Sequence, residues 1–529
     1  MTNKQKVVVI WAWFGWLGSA ILLARAWYDV TVVEKNDKVW GRANLLQRDG
    51  YTWDMWPSWY LMPDAFERYF NAIGRKVEDY LDLQKLEPSY RVFFKDALSS
   101  SSWGTKDPLG TNWSDGYQVL DSSTSLHSAS EWQAKYLDLY ADVDKAADTF
   151  EWIEKGSGDK LRAYLKSSAY QYSIAMEKFV FKNFDSIRDF MTPQLAIEGM
   201  QLNVFTKLYS YVSKYVKNEN LKKLLMYPSV FLGTSPYETP ALFNIMSHVD
   251  FNQWVFYPQW GIHQIPRALH QIALDEWVQF QFNAEVEKIM VEDKKVTWVL
   301  IDAKEVKADI IISNADMRHT ETQLLEVSQQ TYPASYWDKQ VISPSGFILY
   351  LWVDGELPQL KHHTLVFSDD WRWGFDQIFK DPQRPSDPNY YICNPSKTDS
   401  NVAPEGKENL FVLVPIAPWL DSTPESLEVY KDKILADIAH NCDIPNFQER
   451  IEVSQIFSLP QFEQYYNAYK GTALWLAHTF FQSALRRPQN YSKKVKWLYY
   501  AGWYTTPGIG MPMCLISAMM VADRVEKNA

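Results

Sequence analysis

The sequence predicts an α/β fold organised around a Rossmann-type βαβ unit at its N-terminus. Residues 7–10 form a short apolar strand, residues 17–25 an Ala/Leu-rich helix, and residues 30–33 a second strand. Glu34 follows that strand at the spacing where an acidic residue meets a ribose hydroxyl in such units. The turn between strand and helix should then read G-x-G-x-x-G, because glycine lets a pyrophosphate approach the backbone.

Tryptophan stands at all three glycine positions of this turn. Trp11, Trp13 and Trp16 replace them, whereas Gly15 and Gly18 remain glycine. An indole at these positions occupies the space that the pyrophosphate needs. The whole composition shows the same bias, because 24 tryptophans and 21 glycines leave glycine at about 4% of the 529 residues. The usual share of glycine is ~7%.

Length, charge and cysteine count limit the possible functions. A chain of 529 residues exceeds one ordinary core, so we expect two or more domains. The net charge of −11 argues against a nucleic-acid partner held through phosphate contacts. Cys393, Cys442 and Cys514 are odd in number and far apart, which predicts neither a disulfide framework nor a zinc site and fits a reducing compartment.

The uncharged N-terminal stretch has two interpretations. Residues 7–24 carry no charge and follow Lys4 and Lys6, as in a signal peptide or a membrane span. The second strand and Glu34 favour the βαβ unit instead. No other segment is long and apolar enough to span a bilayer.

The next part of the chain mixes helical and loop patterns. Residues 63–74 predict a helix, residues 89–94 a strand, and residues 97–130 a loop or insertion rich in Ser, Thr, Gly and Asp. Residues 131–226 predict mainly helices. Within them, residues 207–217 alternate aromatic side chains with lysines, which fits either helices packing on their own domain or a surface that enters lipid.

In the C-terminal half, the chain is predicted to return to the nucleotide-binding domain and to form a second, antiparallel sheet within residues 321–470. Residues 278–301 contain two strands around the turn 292–295, and residues 308–314 form another buried strand. A strand at residues 498–501 leads through Gly- and Pro-rich backbone into a helix. This arrangement is typical of a helix N-terminus that binds an anion or a flavin. Further strands suited to the antiparallel sheet lie at residues 347–353, 410–415 and 451–457.

Motifs in this order resemble those of the bacterial-type phytoene desaturases, a family of FAD-dependent carotenoid desaturases. The resemblance covers nearly the whole chain. Its motifs are the βαβ unit with Glu34, Trp40-Gly41-Arg42, Pro57-Ser58, residues 235–242, residues 313–316, His362-His363-Thr364, residues 403–406, residues 466–469 and Gly502 with residues 506–510.

The departures from the family pattern follow one rule, since tryptophan stands where the family leads us to expect glycine. Three explanations remain open: a UGA codon read as tryptophan that the source organism reads as glycine, deliberate mutagenesis, and a genuine glycine-poor pseudoenzyme without flavin. Restoring glycine throughout would return its share to ~7%. The fifteen positions are Trp11, Trp13, Trp16, Trp27, Trp40, Trp56, Trp254, Trp260, Trp277, Trp298, Trp352, Trp419, Trp475, Trp497 and Trp503.

The resemblance implies a two-dinucleotide-domain flavoprotein with FAD as cofactor. Residues 1–88, 262–320 and 471–529 would form a discontinuous Rossmann-type FAD-binding domain, and residues 89–261 and 321–470 a discontinuous α+β substrate domain. The alternatives are a surface ion pair for Glu34 and Arg42 and an ordinary core residue for Val286. The implied cofactor-binding positions are Trp11, Trp13, Gly15, Trp16, Gly18, Glu34, Arg42, Val286, Gly502, Pro507, Gly508 and Met511.

The resemblance also implies a reaction, the removal of hydrogen from a long apolar polyene of the C40 carotene type. We expect a cytoplasmic enzyme that touches a membrane surface on one side without spanning it. No acid or base is predicted, because His248, His362, His363 and the Tyr and Lys residues of 160–180 are candidates only by being titratable. A carotenoid or retinoid isomerase, a saturase, a desaturase of shorter chains, and a non-enzymatic carotenoid- or membrane-binding scaffold are the alternatives.

Overall fold

A computed structural model describes residues 4–11, 14–99, 133–186, 203, 205–483 and 486–528. The predicted insertion at 97–130 therefore lies almost wholly outside the described residues, as does Trp13. The strands, numbered in chain order, are β1 Lys6–Ile10, β2 Asp29–Val33, β3 Leu45–Arg48, β4 Tyr51–Asp54, β5 Leu83–Lys85, β6 Tyr90–Ser99, β7 Gln133–Leu139, β8 Phe256–Pro258, β9 Gln279–Gln281, β10 Val286–Glu292, β11 Lys295–Ile301, β12 Lys304–Lys307, β13 Ile310–Ser313, β14 Ser345–Asp354, β15 His363–Phe367, β16 Tyr390–Cys393, β17 Lys407–Ile416, β18 Ile451–Phe457 and β19 Leu498–Tyr500.

The α-helices of the described chain surround these strands. They are α1 Phe14–Arg25, α2 Pro63–Ala72, α3 Val143–Ile153, α4 Gly158–Ile174, α5 Leu208–Val212, α6 Glu219–Met226, α7 Ile245–Asn252, α8 Gln264–Asp275, α9 Met317–Gln323, α10 Ala334–Trp337, α11 Trp371–Phe379, α12 Pro424–Asn441, α13 Leu459–Tyr466 and α14 Met511–Asn528.

The first sheet is parallel and has the order β19-β13-β1-β2-β9. Its central strand β1 pairs with β2 on one side and with β13 on the other. Strand β13 is buried throughout, β1 is buried after its first residue, and β2 is buried at three of its five positions, which is why these strands read as apolar runs in the sequence. The α/β fold class predicted from the sequence is therefore confirmed.

Helix α1 begins at Phe14, three residues earlier than the sequence pattern predicted, and packs closely on the C-terminal helix. A Cβ atom on Gly18 would lie 2.9 Å from the Cβ of Ala518 in α14. A Cβ atom on Gly15 would lie 3.0 Å from the backbone nitrogen of Gly502. These two glycines let the first helix, the last helix and the loop before that helix approach one another.

The second sheet has the order β18-β14-β17-β16-β15-β6-β7 and is antiparallel except where β6 pairs with β15. Strand β14 lies against β17 and β18 and is buried except at its last residue. The sequence expectation of helices from residue 131 onward was wrong at Gln133–Leu139. These residues form β7, whose strand conformation depends on pairing with β6.

The apolar residues of the aromatic and lysine-rich stretch 207–217 pack against the rest of the protein, and its lysines face outward. Leu208, Tyr211, Val212 and Val216 are buried, whereas Lys214 and Lys217 are exposed. The buried residues pack on the rest of the chain, as the amphipathic-helix interpretation predicts, but only Leu208–Val212 is helical. Within the described ranges, no helix combines the length and the apolarity that a bilayer crossing requires.

Half of the suspect tryptophan positions that the structure describes have a backbone conformation that glycine favours. Of the fourteen that the structure describes, seven have positive φ, between 51° and 75°. The six other tryptophans in the described part of the chain have none. A left-handed conformation costs a non-glycine residue about 1–2 kcal/mol. The seven are Trp11, Trp27, Trp260, Trp277, Trp419, Trp475 and Trp497.

Candidate functional site

A large apolar cavity lies beside the loop that leads into α14. Its volume is about 740 Å³, within the range of pockets that bury whole small molecules. Pro507, Gly510 and Met511 of that loop and helix line it, together with Trp59 and Trp371 from the substrate side. A π-helical turn, Ala175–Val180, continues α4 and contributes further apolar lining. The cavity suits a long hydrocarbon ligand.

The loop from Gly502 to Gly510 is fixed by hydrogen bonds to buried side chains. Gly502 donates its N–H to the Ser517 hydroxyl at 3.0 Å and has a φ of 101°. Arg487 donates to the carbonyl oxygens of Trp503 at 2.6 Å and Thr505 at 3.2 Å. Gly508 has a φ of 132°, which only glycine adopts readily. The loop therefore presents a defined backbone surface at the end of the first sheet.

The adenosine end of a dinucleotide would meet Glu34 at the end of β2. Glu34 is buried and accepts hydrogen bonds at 2.7 Å from the backbone and side-chain nitrogens of Asn36. Its own carbonyl oxygen accepts the N–H of Ala284 at 3.0 Å, two residues before Val286. Val286 is buried at the start of β10. The surface ion pair considered for Glu34 and Arg42 is wrong, because both residues are buried.

Arg42 supplies a buried positive charge in the same cleft. Its guanidinium carbon lies 4.6 Å from the ring centre of Tyr466 and 4.5 Å from that of Trp503. In the described part of the chain no carboxylate lies within ion-pair distance of Arg42, and its Nε has no hydrogen-bond partner. A buried cation without a counter-ion is costly unless an anion joins it. A diphosphate is an anion of the required kind.

The backbone frame therefore fits a dinucleotide, but the indoles do not. Trp11 directly after β1, Trp16 in the first turn of α1 and Trp503 in the Gly502–Gly510 loop are all buried. The Trp16 ring packs edge-on against Phe280 with ring centres 6.1 Å apart, and its indole N–H has no acceptor among the described residues. A pyrophosphate bound along this turn as in the G-x-G-x-x-G motif would need the space that an indole at residues 11 and 16 takes up. Glycine at these positions would clear it.

A parallel nucleotide-binding sheet, a flavin-type loop and an apolar cavity together define a dinucleotide-dependent oxidoreductase. The chain belongs to the flavin containing amine oxidoreductase family, whose model matches residues 17–526. FAD is therefore the cofactor for which the frame is built.

Relatives with assigned activities match over the full length. The chain is 41% identical over 529 residues to the carotenoid 3,4-desaturase of Haloarcula japonica, covering 99% of both chains. It is 32% identical to the zeta-carotene-forming phytoene desaturase of Myxococcus xanthus, covering 99% of this chain and 94% of that one. Among solved structures, an oxidoreductase from Methanosarcina mazei has a TM-score of 0.59 at 16% identity, covering 98% of this chain and 100% of that one. That last likeness shows the fold alone.

The histidines singled out from the sequence do not line the cavity. His248 lies behind Tyr172, with ring centres 4.9 Å apart, and burial lowers its pKa. Burial lowers the pKa of His362 to about 3 and that of His363 well below its usual value. In the stretch 160–180, Tyr172 does line the cavity, but its hydroxyl donates to Asp64 at 2.9 Å.

His362 and His363 instead form a buried cluster with Cys393. Their ligand-type atoms lie within 4.8 Å of one another, which is the spacing of a possible metal site. Burial raises the pKa of the Cys393 thiol to about 12, so the thiol is protonated. His362 Nδ1 bonds Thr398 at 2.7 Å and His363 Nδ1 bonds Tyr391 at 2.7 Å. The cluster is neutral and faces the interior of the second sheet.

Two candidate functional residues, His478 and Arg487, were not predicted from the sequence. His478 lines the cavity next to the Gly502–Gly510 loop, and Arg487 holds that loop through backbone carbonyls. The available sequence signal was a single histidine inside the apolar run 473–481. A lone histidine in such a run is more often structural, and only the fold reveals what it faces.

A buried carboxyl group lies behind the cavity wall. Asp250 accepts hydrogen bonds at 2.6 Å from the hydroxyls of both Tyr90 and Tyr227. Burial raises the pKa of Asp250 to about 7, although these two donors counteract it. Tyr227 lines the cavity with its ring while its hydroxyl points to Asp250.

Proposed function

We propose that this chain desaturates a long apolar polyene of the C40 carotene type, with FAD as hydride acceptor, in carotenoid biosynthesis. The observation that carries the proposal is the 740 Å³ apolar cavity that borders the loop before α14. Its volume lies in the upper part of the range of ligand pockets, and aromatic and aliphatic side chains supply most of its wall. The desaturase names of the relatives at 41% and 32% identity support the same substrate class.

The chain's own residues would bind and orient the cofactor. Glu34 would accept from the ribose, Arg42 would neutralise the diphosphate, and the backbone N–H groups from Gly502 to Met511 would face the flavin edge that gains negative charge. Backbone atoms around Val286 would contact adenine. FAD, when bound, supplies hydride-accepting chemistry that no side chain provides. This assignment includes the division into residues 1–88, 262–320 and 471–529 for cofactor and 89–261 and 321–470 for substrate.

The working protein carries glycine at the fifteen suspect tryptophan positions, and a misread UGA codon is the simplest cause. Half of the described positions have the left-handed backbone that glycine favours. Misreading of one codon changes glycine to tryptophan and nothing else, and it spares glycines encoded otherwise, such as Gly15, Gly18 and Gly41.

The gene and the protein mass test this part directly. We expect UGA at all fifteen codons, and peptides from the native organism whose masses fit glycine. UGG codons, or peptide masses that fit tryptophan, would overturn it and favour a flavin-free scaffold.

One side of the protein would rest on a membrane, from which the polyene enters. Phe205 lines the cavity and is exposed, and its ring centre lies 5.7 Å from that of Phe480. The Arg486 guanidinium lies 4.8 Å from the ring centres of Phe480 and of the exposed Phe481. Exposed aromatic rings beside a cation suit the interface of a bilayer with anionic lipids. We call Phe205, Phe480, Phe481 and Arg486 the aromatic rim.

Product analysis tests the reaction. The glycine-bearing chain, loaded with FAD, is incubated with phytoene in lipid vesicles, and the carotenes are separated and their absorption spectra recorded. We expect products with additional conjugated double bonds and a matching amount of reduced flavin. Geometric isomers alone would indicate an isomerase, and loss of double bonds a saturase. Either result would overturn the desaturase proposal.

A further inference from the structure

We propose that His478 is the catalytic base, whose Nε2 accepts the proton that leaves the polyene as a double bond forms. This inference rests on the proposed desaturase function and deepens it by naming the proton acceptor. Three independent features carry it: the tautomer of the imidazole ring, the contact of the ring with the loop before α14, and the position of the ring in the cavity lining.

The hydrogen bond of the ring fixes its tautomer. His478 Nδ1 lies 3.1 Å from the carbonyl oxygen of Leu232, an atom that only accepts hydrogen bonds. Nδ1 therefore carries the hydrogen, and Nε2 holds a free lone pair. In the described part of the chain Nε2 has no hydrogen-bond partner. Phe243 packs edge-on against the ring with centres 5.5 Å apart and keeps its plane in place.

The ring rests on the loop that would border the flavin. A Cβ atom on Gly508 would lie only 2.3 Å from His478 Nε2, so any other residue there would displace the imidazole. Gly508 is therefore needed for this contact as well as for its φ of 132°. His478 and the loop that would hold the flavin edge thus border the same part of the cavity.

The electrostatic surroundings keep the ring unprotonated. Burial, and after it the positive charge of Arg487, lower the pKa of His478 well below its usual value of 6.5. Arg487 is itself buried, and among the described residues no carboxylate forms an ion pair with it. The remaining neighbours, Leu232, Phe243 and Gly508, carry no charge. At pH 7 the imidazole is consequently neutral and able to accept a proton.

The chemistry balances with one base and one hydride acceptor. FAD, when bound, would supply the acceptor for a hydride, which one carbon beside the conjugated system would give up with both electrons of its C–H bond. The adjacent carbon gives up a proton to Nε2, and the electron pair left behind forms the new C=C bond. A C–H bond beside a carbon with developing positive charge is strongly acidic, so a base of low pKa suffices. His478 becomes an imidazolium and returns its proton to water.

The other titratable groups of the described cavity wall cannot act as the base that accepts the proton. The hydroxyls of Tyr172, Tyr227 and Tyr391 are bonded to Asp64, Asp250 and His363, and burial raises the pKa of each phenol. Burial also raises the pKa of Tyr390. The Lys182 ammonium has three donors and no lone pair. His478 alone offers an available basic nitrogen among these residues.

The decisive variant is His478→Gln, compared with His440→Gln as a matched control on the exposed face of α12. Both are made in the full-length glycine-bearing chain, loaded with FAD, and assayed with phytoene in vesicles. We expect His478→Gln to lower kcat by at least ~100-fold with KM nearly unchanged, since general bases contribute that much. His440→Gln should match the parent. Equal kcat values for all three proteins would overturn the proposal.

A rescue experiment separates a base from a structural side chain. His478→Gly leaves space for added imidazole, and we expect imidazole to restore turnover in proportion to its unprotonated fraction. Rescue by the imidazolium form, or none in a variant that still binds FAD and carotene, would overturn the role. If the parent chain itself fails to desaturate, the proposed function fails, and this outcome is distinct from equal activity of parent and variant.

A measurement without turnover gives the second test. In protein labelled with ¹⁵N-histidine, the signal of His478 is the one that disappears in His478→Gln. We expect Nδ1 to be protonated and Nε2 unprotonated at pH 7, with titration well below pH 6.5. A protonated Nε2 at pH 7 would overturn the assignment regardless of activity.

Discussion

Trp277 occupies, at the end of helix α8, the position that Gly74 occupies at the end of helix α2. Their φ angles are 64° and 66°, and each donates its N–H to the carbonyl three residues earlier at 3.0 Å. In both helices the following residue donates to the carbonyl five residues earlier, at 3.0 Å after Trp277 and 2.9 Å after Gly74. This is the Schellman motif, whose left-handed residue is usually glycine.

The first prediction follows from this equivalence. Replacing Trp277 with glycine in the tryptophan-bearing chain should raise the free energy of unfolding by about 1 kcal/mol. The indole is 89% exposed, so little buried area is lost, and the left-handed strain is relieved. Urea unfolding measures the change.

The matched control is Trp373→Gly. Trp373 is half exposed but lies inside helix α11, where glycine costs about 1 kcal/mol. The two substitutions remove the same side chain and should therefore shift stability in opposite directions. Equal destabilisation by both would contradict the glycine assignment at residue 277.

The second prediction concerns flavin binding. In the tryptophan-bearing chain, glycine at residues 11, 13, 16 and 503 should convert a colourless protein into one that retains FAD through gel filtration. The reason is steric, because Trp11, Trp16 and Trp503 are buried along the proposed cofactor path. Flavin absorbance per mole of protein is the measurement.

The control for flavin binding replaces Trp27, Trp277 and Trp419, which are exposed and also have positive φ. Glycine at these sites should stabilise the protein without increasing its flavin content. A tryptophan-bearing parent that already holds stoichiometric FAD would contradict the steric argument.

Local patterns explain what the sequence could predict. The first sheet was predictable because parallel strands buried on both faces read as apolar runs, and because Glu34 has a fixed spacing from the first strand. Strand β7 was missed because residues 133–139 interleave Lys and Asp with apolar residues, and their conformation depends on pairing with distant β6. The start of α1 was placed three residues late because the whole G-x-G-x-x-G stretch was taken as turn, whereas its last part, from Phe14, already belongs to the helix.

The parts of the site that the sequence could not predict are contacts between segments far apart in the chain. His478 rests on Gly508, thirty positions away, and its Nδ1 bonds Leu232 in another part of the chain. Neither hydrophobic periodicity nor a sequence motif predicts contacts between residues so far apart in the chain. The metal-like grouping of His363 and Cys393 likewise arises because β15 pairs with β16.

The third prediction concerns pH and the buried Asp250. Burial raises its folded pKa to about 7 from 3.8, so its contribution to stability is fully present below pH 4 and is lost as pH rises through 7. Asp250→Asn should remove that loss. Relative to the parent, the variant should therefore gain stability from pH 4 to pH 8, by ~4 kcal/mol at most.

Urea unfolding at pH 5 and pH 8 measures this difference, with Asp275→Asn at the end of α8 as control. The control removes an exposed carboxylate from the same type of side chain and should keep the parent's pH dependence. If Asp250→Asn and the parent show parallel pH profiles, Asp250 is ionised throughout and the argument from burial is wrong.

The fourth prediction concerns membrane binding through the aromatic rim. Phe205 and Phe481 are 83% and 72% exposed, and fully burying a phenylalanine side chain is worth about 1.5–3 kcal/mol. Replacing both with serine should weaken binding to vesicles by more than ~10-fold. Anionic vesicles should bind the parent more tightly than neutral ones, because Arg486 lies beside the rings. Co-sedimentation with vesicles of the two compositions measures both effects.

Val327 and Val429 provide the control, because they are 77% and 72% exposed but lie outside the cavity lining. Their double serine variant should bind vesicles as the parent does. If this control loses as much binding as the aromatic-rim variant, adsorption depends on general surface apolarity. If neither loses binding, the polyene must enter through another face. Because the aromatic rim adjoins the cavity, its variant should also raise KM for vesicle-borne carotene while leaving kcat unchanged, a split that loss of the base His478 would not produce.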